Sequence, residues 1–182
     1  MIVLASASPR RRELITLISN DVKIHPSDVD ETIPEGMPSD SVPEYLAVKK
    51  AASVAKEYPS DTVIGSDTSV IVDGIILGKP ADREDARRML SLLSGKTHKV
   101  ITGCAVFKNG KSASFSEVTT VKFHTLSDSE IEDYLDKNEY CDKAGAYGIQ
   151  GYASLLIEGI NGDYFNVVGL PVSRLSRLLK KF

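Results

Sequence analysis

The chain opens on Ile2-Val3-Leu4-Ala5, an apolar run that passes directly into Ser6-Ala7-Ser8-Pro9-Arg10-Arg11-Arg12. A short apolar run bounded by small residues reads as a buried strand. Ser8 suits a helix N-cap and Pro9 the first helical position, where a missing N–H is no loss. The junction is therefore a strand feeding a helix through a tight turn, with Leu14, Leu17 and Ile18 on one predicted helix face. Strand and helix can each bury an apolar side only by packing on another layer, so this turn commits the chain to an α/β arrangement. It also constrains the chemistry. A helix start offers free backbone N–H groups and a positive dipole end, and arginines there are unfavourable unless an anion or carboxylates compensate. The turn predicts a phosphate site; a solvated basic helix start making surface ion pairs is the competing reading.

Strands and helices alternate through the rest of the sequence. Ser41-Val42-Pro43-Glu44 fits a capping box and predicts a helix through Leu46, Ala47 and Lys50 to Ala55, ending before Pro59. β-Branched residues mark strands at 62–65 and 69–72, with Ser66-Asp67-Thr68 between them and Asp73-Gly74 turning into Ile75-Ile76-Leu77. Asp82 caps a helix whose core stripe is Ala86, Met89, Leu90 and Leu93, closed by Gly95. Asn109-Gly110 joins strands around 100–107 and 112–123, and Ser127-Asp128-Ser129-Glu130 is a second capping box before Ile131, Tyr134 and Leu135. Asn161-Gly162 predicts a further hairpin, between strands at 155–160 and 164–168, and a last helix with Leu175, Leu178 and Leu179 follows Pro171. The pattern is a mixed sheet flanked by helices, in a single domain spanning 1–182.

A formal net charge of -3 argues against a broad footprint for nucleic acid or an anionic membrane, so any phosphate binding is local. The first residues place apolar side chains before arginines, the reverse of a secretory signal, and no apolar run reaches membrane-spanning length, which predicts a cytoplasmic protein. Cys104 and Cys141 are far apart and read as plain reduced side chains, while His25, His98 and His124 are isolated and read as structural. Gly95-Lys96-Thr97 resembles the end of a P-loop, but the earlier glycine would fall at Leu90. The glycines at 145, 148 and 151 have the wrong spacing for a dinucleotide fingerprint.

What remains is polar and local. Asp28, Asp30 and Glu31 lie in a loop, and Asp67 follows a predicted strand end, where side chains project into clefts beside sheets. Magnesium binds through one or two carboxylates plus substrate phosphates, so Asp67 is a candidate ligand or base, whereas Asp28 and Asp30 read as solvated acids. Lys50 and Lys79 could each neutralise phosphate as a point charge. The stretch Asp142 to Gly151 has closely spaced glycines that permit backbone approach to a ligand, Gln150 can both donate to and accept from a base edge, and Tyr147 reads as a core anchor.

Taken in order, Ser6-Ala7-Ser8-Pro9-Arg10-Arg11, Gly65-Ser66-Asp67-Thr68, Leu77-Gly78-Lys79-Pro80, Gly95-Lys96-Thr97-His98 through Thr102-Gly103, Asp142 to Gly151 and Gly162-Asp163 through Gly169-Leu170-Pro171 resemble the Maf family over nearly the whole chain. The resemblance implies an α/β fold with two lobes around a cleft, related to inosine triphosphate pyrophosphatases and often dimeric. It implies hydrolysis of nucleoside triphosphates to monophosphate and pyrophosphate with a divalent cation, magnesium or manganese. On this resemblance Asp67 matches the general base, and Ser8, Arg11, Glu31, Lys50 and Lys79 match residues that bind phosphate or metal, with Glu31 and Asp67 toward the metal. Arg11, Thr68 and Gln150 match positions associated with substrate choice, and Ile149-Gln150-Gly151 resembles the dTTP and UTP branch. The competing functions are a nucleotide-sensing protein in septum control and a purine or 7-methyl-GTP-directed pyrophosphatase.

Overall fold

The computed structural model describes residues 1–182. In chain order its elements are β1 (Ile2–Leu4), α1 (Pro9–Ile15), β2 (Val22–Ile24), α2 (Val42–Ala55), β3 (Thr62–Val72), β4 (Ile75–Leu77), α3 (Arg83–Leu93), β5 (Thr97–Lys108), β6 (Lys111–Phe123), α4 (Asp128–Leu135), β7 (Ile157–Asn161), α5 (Tyr164–Val168) and α6 (Val172–Leu179). The strands form one mixed sheet in the order β2-β1-β3-β5-β6-β7, with β4 hydrogen-bonded to β3. β1 is parallel to β2 and β3, and every other pairing is antiparallel. The turns Asp73-Gly74 and Asn109-Gly110 have positive φ at both residues, as the tight hairpin requires. No helix is long and apolar enough to cross a membrane.

Two lobes share the long strands. Leu4, Leu14, Ile15, Ile64, Val106, Leu170 and Leu175 pack at one end of the sheet, and Val70, Val72, Leu90, Val100, Phe123 and Leu135 at the other. β3 and β5 run through both cores, so the lobes meet at their middle residues. There the two edges of β3 differ. β5 pairs with it from Val63 to Ile71 without a break, whereas the opposite edge is met by β1 only at Thr62–Ile64 and by β4 only at Val70–Val72. Gly65 to Ser69 thus border a gap in the sheet, the kind of crevice where ligands bind in open α/β folds.

One helix sits unusually close to this stretch. A Cβ on Gly65 would fall 2.2 Å from the Ala47 carbonyl oxygen, and one on Gly103 would fall 2.3 Å from Pro43 backbone atoms. Only glycine at both positions lets α2 lie directly on β3 and β5. Ala47 and Ala51, both fully buried, complete that contact.

Four expectations need correction. Residues 62–72 form one continuous strand, so Asp67 lies in the middle of β3 rather than at a strand end, because β5 supports the segment throughout. Ser41 ends a 3-10 turn in helical conformation and makes no capping bond; the Glu44 carboxylate instead accepts from the Ser114 and Ser116 hydroxyls. Tyr164–Val168 is a helix, since Asp163 accepts the Phe165 N–H as its cap and the helical turn buries Asn166, which donates to the Val100 carbonyl. α1 stops at Ile15, leaving Leu17 exposed while Leu14 and Ile15 enter the core.

Candidate active site

Alternation along β3 places Val63, Gly65 and Asp67 on the face covered by α2. Lys50 lies one helical turn after Ala47, the residue pressed on Gly65, and its Nζ reaches Asp67 Oδ1 at 2.7 Å. The same ammonium meets Glu31 Oε1 at 2.9 Å. The side chains of Lys50 and Asp67 are 12% and 15% exposed, so their pair is far less screened than a surface bridge, whereas Glu31 at 56% stands on the rim. Of the loop acids, Asp30 accepts from the Thr32 N–H and hydroxyl, bonds that hold its carboxyl below the usual range and give it a local structural task.

On the other face of β3, Ser66 and Thr68 point toward the start of α1. Ser8 caps that helix, its hydroxyl accepting the Arg11 N–H at 3.5 Å. The Arg11 side chain folds inward. Its guanidinium donates to the Gly169 carbonyl at 2.8 Å, to Thr68 Oγ1 at 2.9 Å and to Ser6 Oγ at 3.3 Å. Thr68 is held in turn by Thr102, whose hydroxyl also donates to the Asn166 carbonyl at 3.0 Å. Burial pulls the Arg11 pKa down, yet a guanidinium stays charged in proteins. No carboxylate lies within ion-pair distance of Arg10, Arg11 or Arg12. The surface ion-pair reading of this helix start therefore fails: the half-buried guanidinium bonds only neutral acceptors, and the Asp67 and Glu31 carboxylates act on it from beyond ion-pair distance.

Ser8, Arg11, Glu31, Lys50, Asp67 and Thr68 thus flank the gap from both sides. Lys79 and Gln150 are exposed and make no side-chain hydrogen bond. Their segments are joined: the Gly145 N–H donates to the Gly78 carbonyl at 3.0 Å. Ser6, Thr102, Asn166 and the Gly169 carbonyl belong to the network although none stood among the candidate residues. Their signal was polarity on an otherwise apolar pattern, since Ser6, Ser66, Thr102 and Asn166 are all buried. His98 is structural as expected: burial lowers its pKa to about 4, and its Nε2 lies 2.6 Å from the hydroxyl of Tyr147, itself buried in the core. Cys104 is buried, its thiol pushed up to about 12, and is unreactive in that state.

The donor set suits a hard cation. Glu31 and Asp67 converge on a single small positive group, the Lys50 ammonium, and supply carboxylate oxygens alone, with no cluster of three or more ligating side chains. A magnesium-type ion completes such a site with phosphate oxygens and water.

The family model described as Maf-like protein matches residues 1–182. The chain belongs to the Maf family. Two relatives of this Maf chain are the dTTP/UTP pyrophosphatase of Clostridioides difficile strain 630, 51% identical over 100% of this chain and 94% of the relative, and that of Pyrococcus abyssi, 49% identical over 99% and 95%. Among solved structures, the Ham1 protein of Staphylococcus aureus covers 99% of this chain and 98% of its own at 14% identity with a TM-score of 0.59, which shows the shared fold. The Maf blocks meet in space: Ser6 to Arg11, Gly65 to Thr68 and Gly169 lie at the gap in β3, and Thr102-Gly103 pair with Thr68 and Asp67 from the opposite edge.

Proposed function

We propose that this chain hydrolyses dTTP and UTP between the α and β phosphates, releasing the monophosphate and pyrophosphate, as a cytoplasmic enzyme of nucleotide-pool sanitation. The observation that carries the reading is the Glu31–Lys50–Asp67 cluster facing Arg11 across the gap, in a chain half identical over its full length to dTTP/UTP pyrophosphatases. A polyphosphate needs neutralisation and a positioned water, with little covalent work from the protein. Arg11, anchored on Gly169 and Thr68, presents its remaining donors and its charge to the phosphates, joined by Ser8, Lys50 and Lys79. Asp67 accepts the proton of the attacking water, and Lys50 fixes the orientation of that carboxylate. Glu31 and Asp67 would hold magnesium or manganese, which supplies charge neutralisation on the phosphate oxygens. Thr68 and Gln150 contribute to base selection, Gln150 by pairing with both a donor and an acceptor on the pyrimidine edge.

The test is a panel of dTTP, UTP, CTP, ATP, GTP and 7-methyl-GTP with magnesium or manganese, reading pyrophosphate and monophosphate. Release from dTTP and UTP ahead of the others is expected. Orthophosphate with a diphosphate would overturn the bond assignment, binding without turnover would favour a sensor, and a purine preference would overturn the branch.

A further inference from the structure

The turn that carries Gln150 is held at both ends by side chains outside the proposed chemistry. At its inner end the buried Tyr147 ring lies edge-on to Phe123, with centroids 4.9 Å apart, and its hydroxyl meets His98. At its outer end Glu139 Oε2 accepts the Tyr152 N–H at 2.8 Å. Between them the Gly151 N–H closes back on the Gly148 carbonyl at 3.2 Å, so Gln150 occupies the third position of a closed turn.

The glycines of this turn do not open it to a ligand, as their spacing first suggests; they make room for neighbouring side chains. A Cβ on Gly148 would fall 2.7 Å from Lys143 Cε, and one on Gly151 would fall 2.2 Å from Glu139 Oε2. The Lys143 ammonium bonds the Glu139 backbone carbonyl and leaves the carboxylate alone. Glu139 forms no ion pair, so the carboxylate's one bonded partner is the amide two residues beyond Gln150. A carboxylate seated in the space vacated by a glycine, and bonded there to backbone, is placed to hold a turn.

We propose that Glu139 is a positioning residue for nucleobase selection, its carboxylate clamping the Gly148–Tyr152 turn and so fixing where Gln150 stands. This rests on the reading of Gln150 as a base contact. Without the clamp Gln150 still exists but samples several positions, so base discrimination is lost while proton transfer at Asp67 is untouched.

The experiment measures kcat and KM for dTTP and CTP with magnesium for Glu139→Ala, Glu139→Gln, Gly151→Ala, Gln150→Ala and the Glu139→Ala/Gln150→Ala double variant, with thermal melts of each. Glu139→Ala is expected to narrow the dTTP-to-CTP ratio of kcat/KM by about three- to tenfold, the size of one hydrogen bond's net contribution, mainly through KM. Glu139→Gln keeps an acceptor oxygen at the same reach and retains the ratio. Gly151→Ala, whose Cβ displaces the carboxylate, behaves as Glu139→Ala, and the double variant shows no loss beyond Gln150→Ala alone. If Gln150→Ala narrows the ratio and Glu139→Ala does not, or if the two losses multiply in the double variant, the clamp is overturned and the base-contact reading stands. If Gln150→Ala itself leaves the ratio unchanged, both fall. A lowered melting temperature with an unchanged ratio would reduce Glu139 to ordinary structure and overturn the proposal.

Discussion

At the scale of single residues, the site is a balance between the Glu31–Lys50–Asp67 cluster on one face of β3 and Arg11 on the other. Asp67→Asn keeps the volume and leaves Lys50 its bond to Glu31 at 2.9 Å, so the fold is expected to survive. Loss of the proton acceptor should lower kcat by roughly a hundred- to ten-thousand-fold. Circular dichroism and pyrophosphate release on the same sample check both halves, and near-native turnover would transfer the base role to Glu31. Arg11→Ala removes a charged donor to phosphate and takes one donor from Thr68, which keeps Thr102, and one from the Gly169 carbonyl, which keeps the Ser66 hydroxyl. Charge-assisted bonds contribute about 1.5–3 kcal/mol, so kcat/KM for dTTP should fall by roughly ten- to a hundredfold. Unchanged constants would return Arg11 to a structural role. These residues were legible from their types and places in the sequence: an arginine beside a helix start, and an aspartate read at a strand end, although β3 in fact runs on through it. Ser6 and Thr102 were not, since a small hydroxyl in a turn or strand satisfies itself in many ways and announces no partner.

Among the elements, the contact of α2 with β3 and β5 decides whether the site exists, because it sets the distance from Lys50 to Asp67. A methyl group at position 65 must displace backbone, as it would stand 2.2 Å from the Ala47 carbonyl oxygen. Gly65→Ala is therefore expected to destabilise the fold by about 1–3 kcal/mol through overpacking. The helix shift it forces should also lower kcat in the folded fraction, since misplacement by about 1 Å can reduce a rate roughly a hundredfold. Thermal melts and turnover at a temperature where the variant is fully folded separate the two effects; a destabilised variant with native kcat would show that Lys50 reaches Asp67 by its own flexibility. This contact was only half legible. The apolar pattern of α2 and the strands flanking Asp67 could be read, but a glycine in a strand signals a close approach without naming what approaches. The helix Tyr164–Val168 was hidden for a related reason. Its aromatic and β-branched residues favour strand, and a single short capping side chain, Asp163, reversed that preference.

For the molecule as a whole, the lobe built around Phe123 and Tyr147 depends on a core that contains a histidine with no charge partner. His98 is 2% exposed, its Nε2 against the Tyr147 hydroxyl and its Nδ1 unpaired. Burial holds its pKa near 4 in the folded chain, against an ordinary value of 6.5. Above about pH 6.5 the ring is neutral folded and unfolded, and it adds no pH dependence. As pH falls from 6.5 toward 4, the unfolded chain takes up the proton and the folded chain does not, so stability declines by up to about 1.4 kcal/mol per pH unit. The total reaches about 3 kcal/mol near pH 4, and below that both states are protonated and the contribution levels off. Denaturant unfolding between pH 7.5 and 4.5 is expected to show this decline in the wild type. Other groups titrate in the same range, so the comparison that isolates His98 is His98→Gln, whose slope should be flatter. Equal slopes in the two proteins would mean that the native core opens enough to protonate the ring, and that the lobe around Phe123 and Tyr147 is looser than its packing implies.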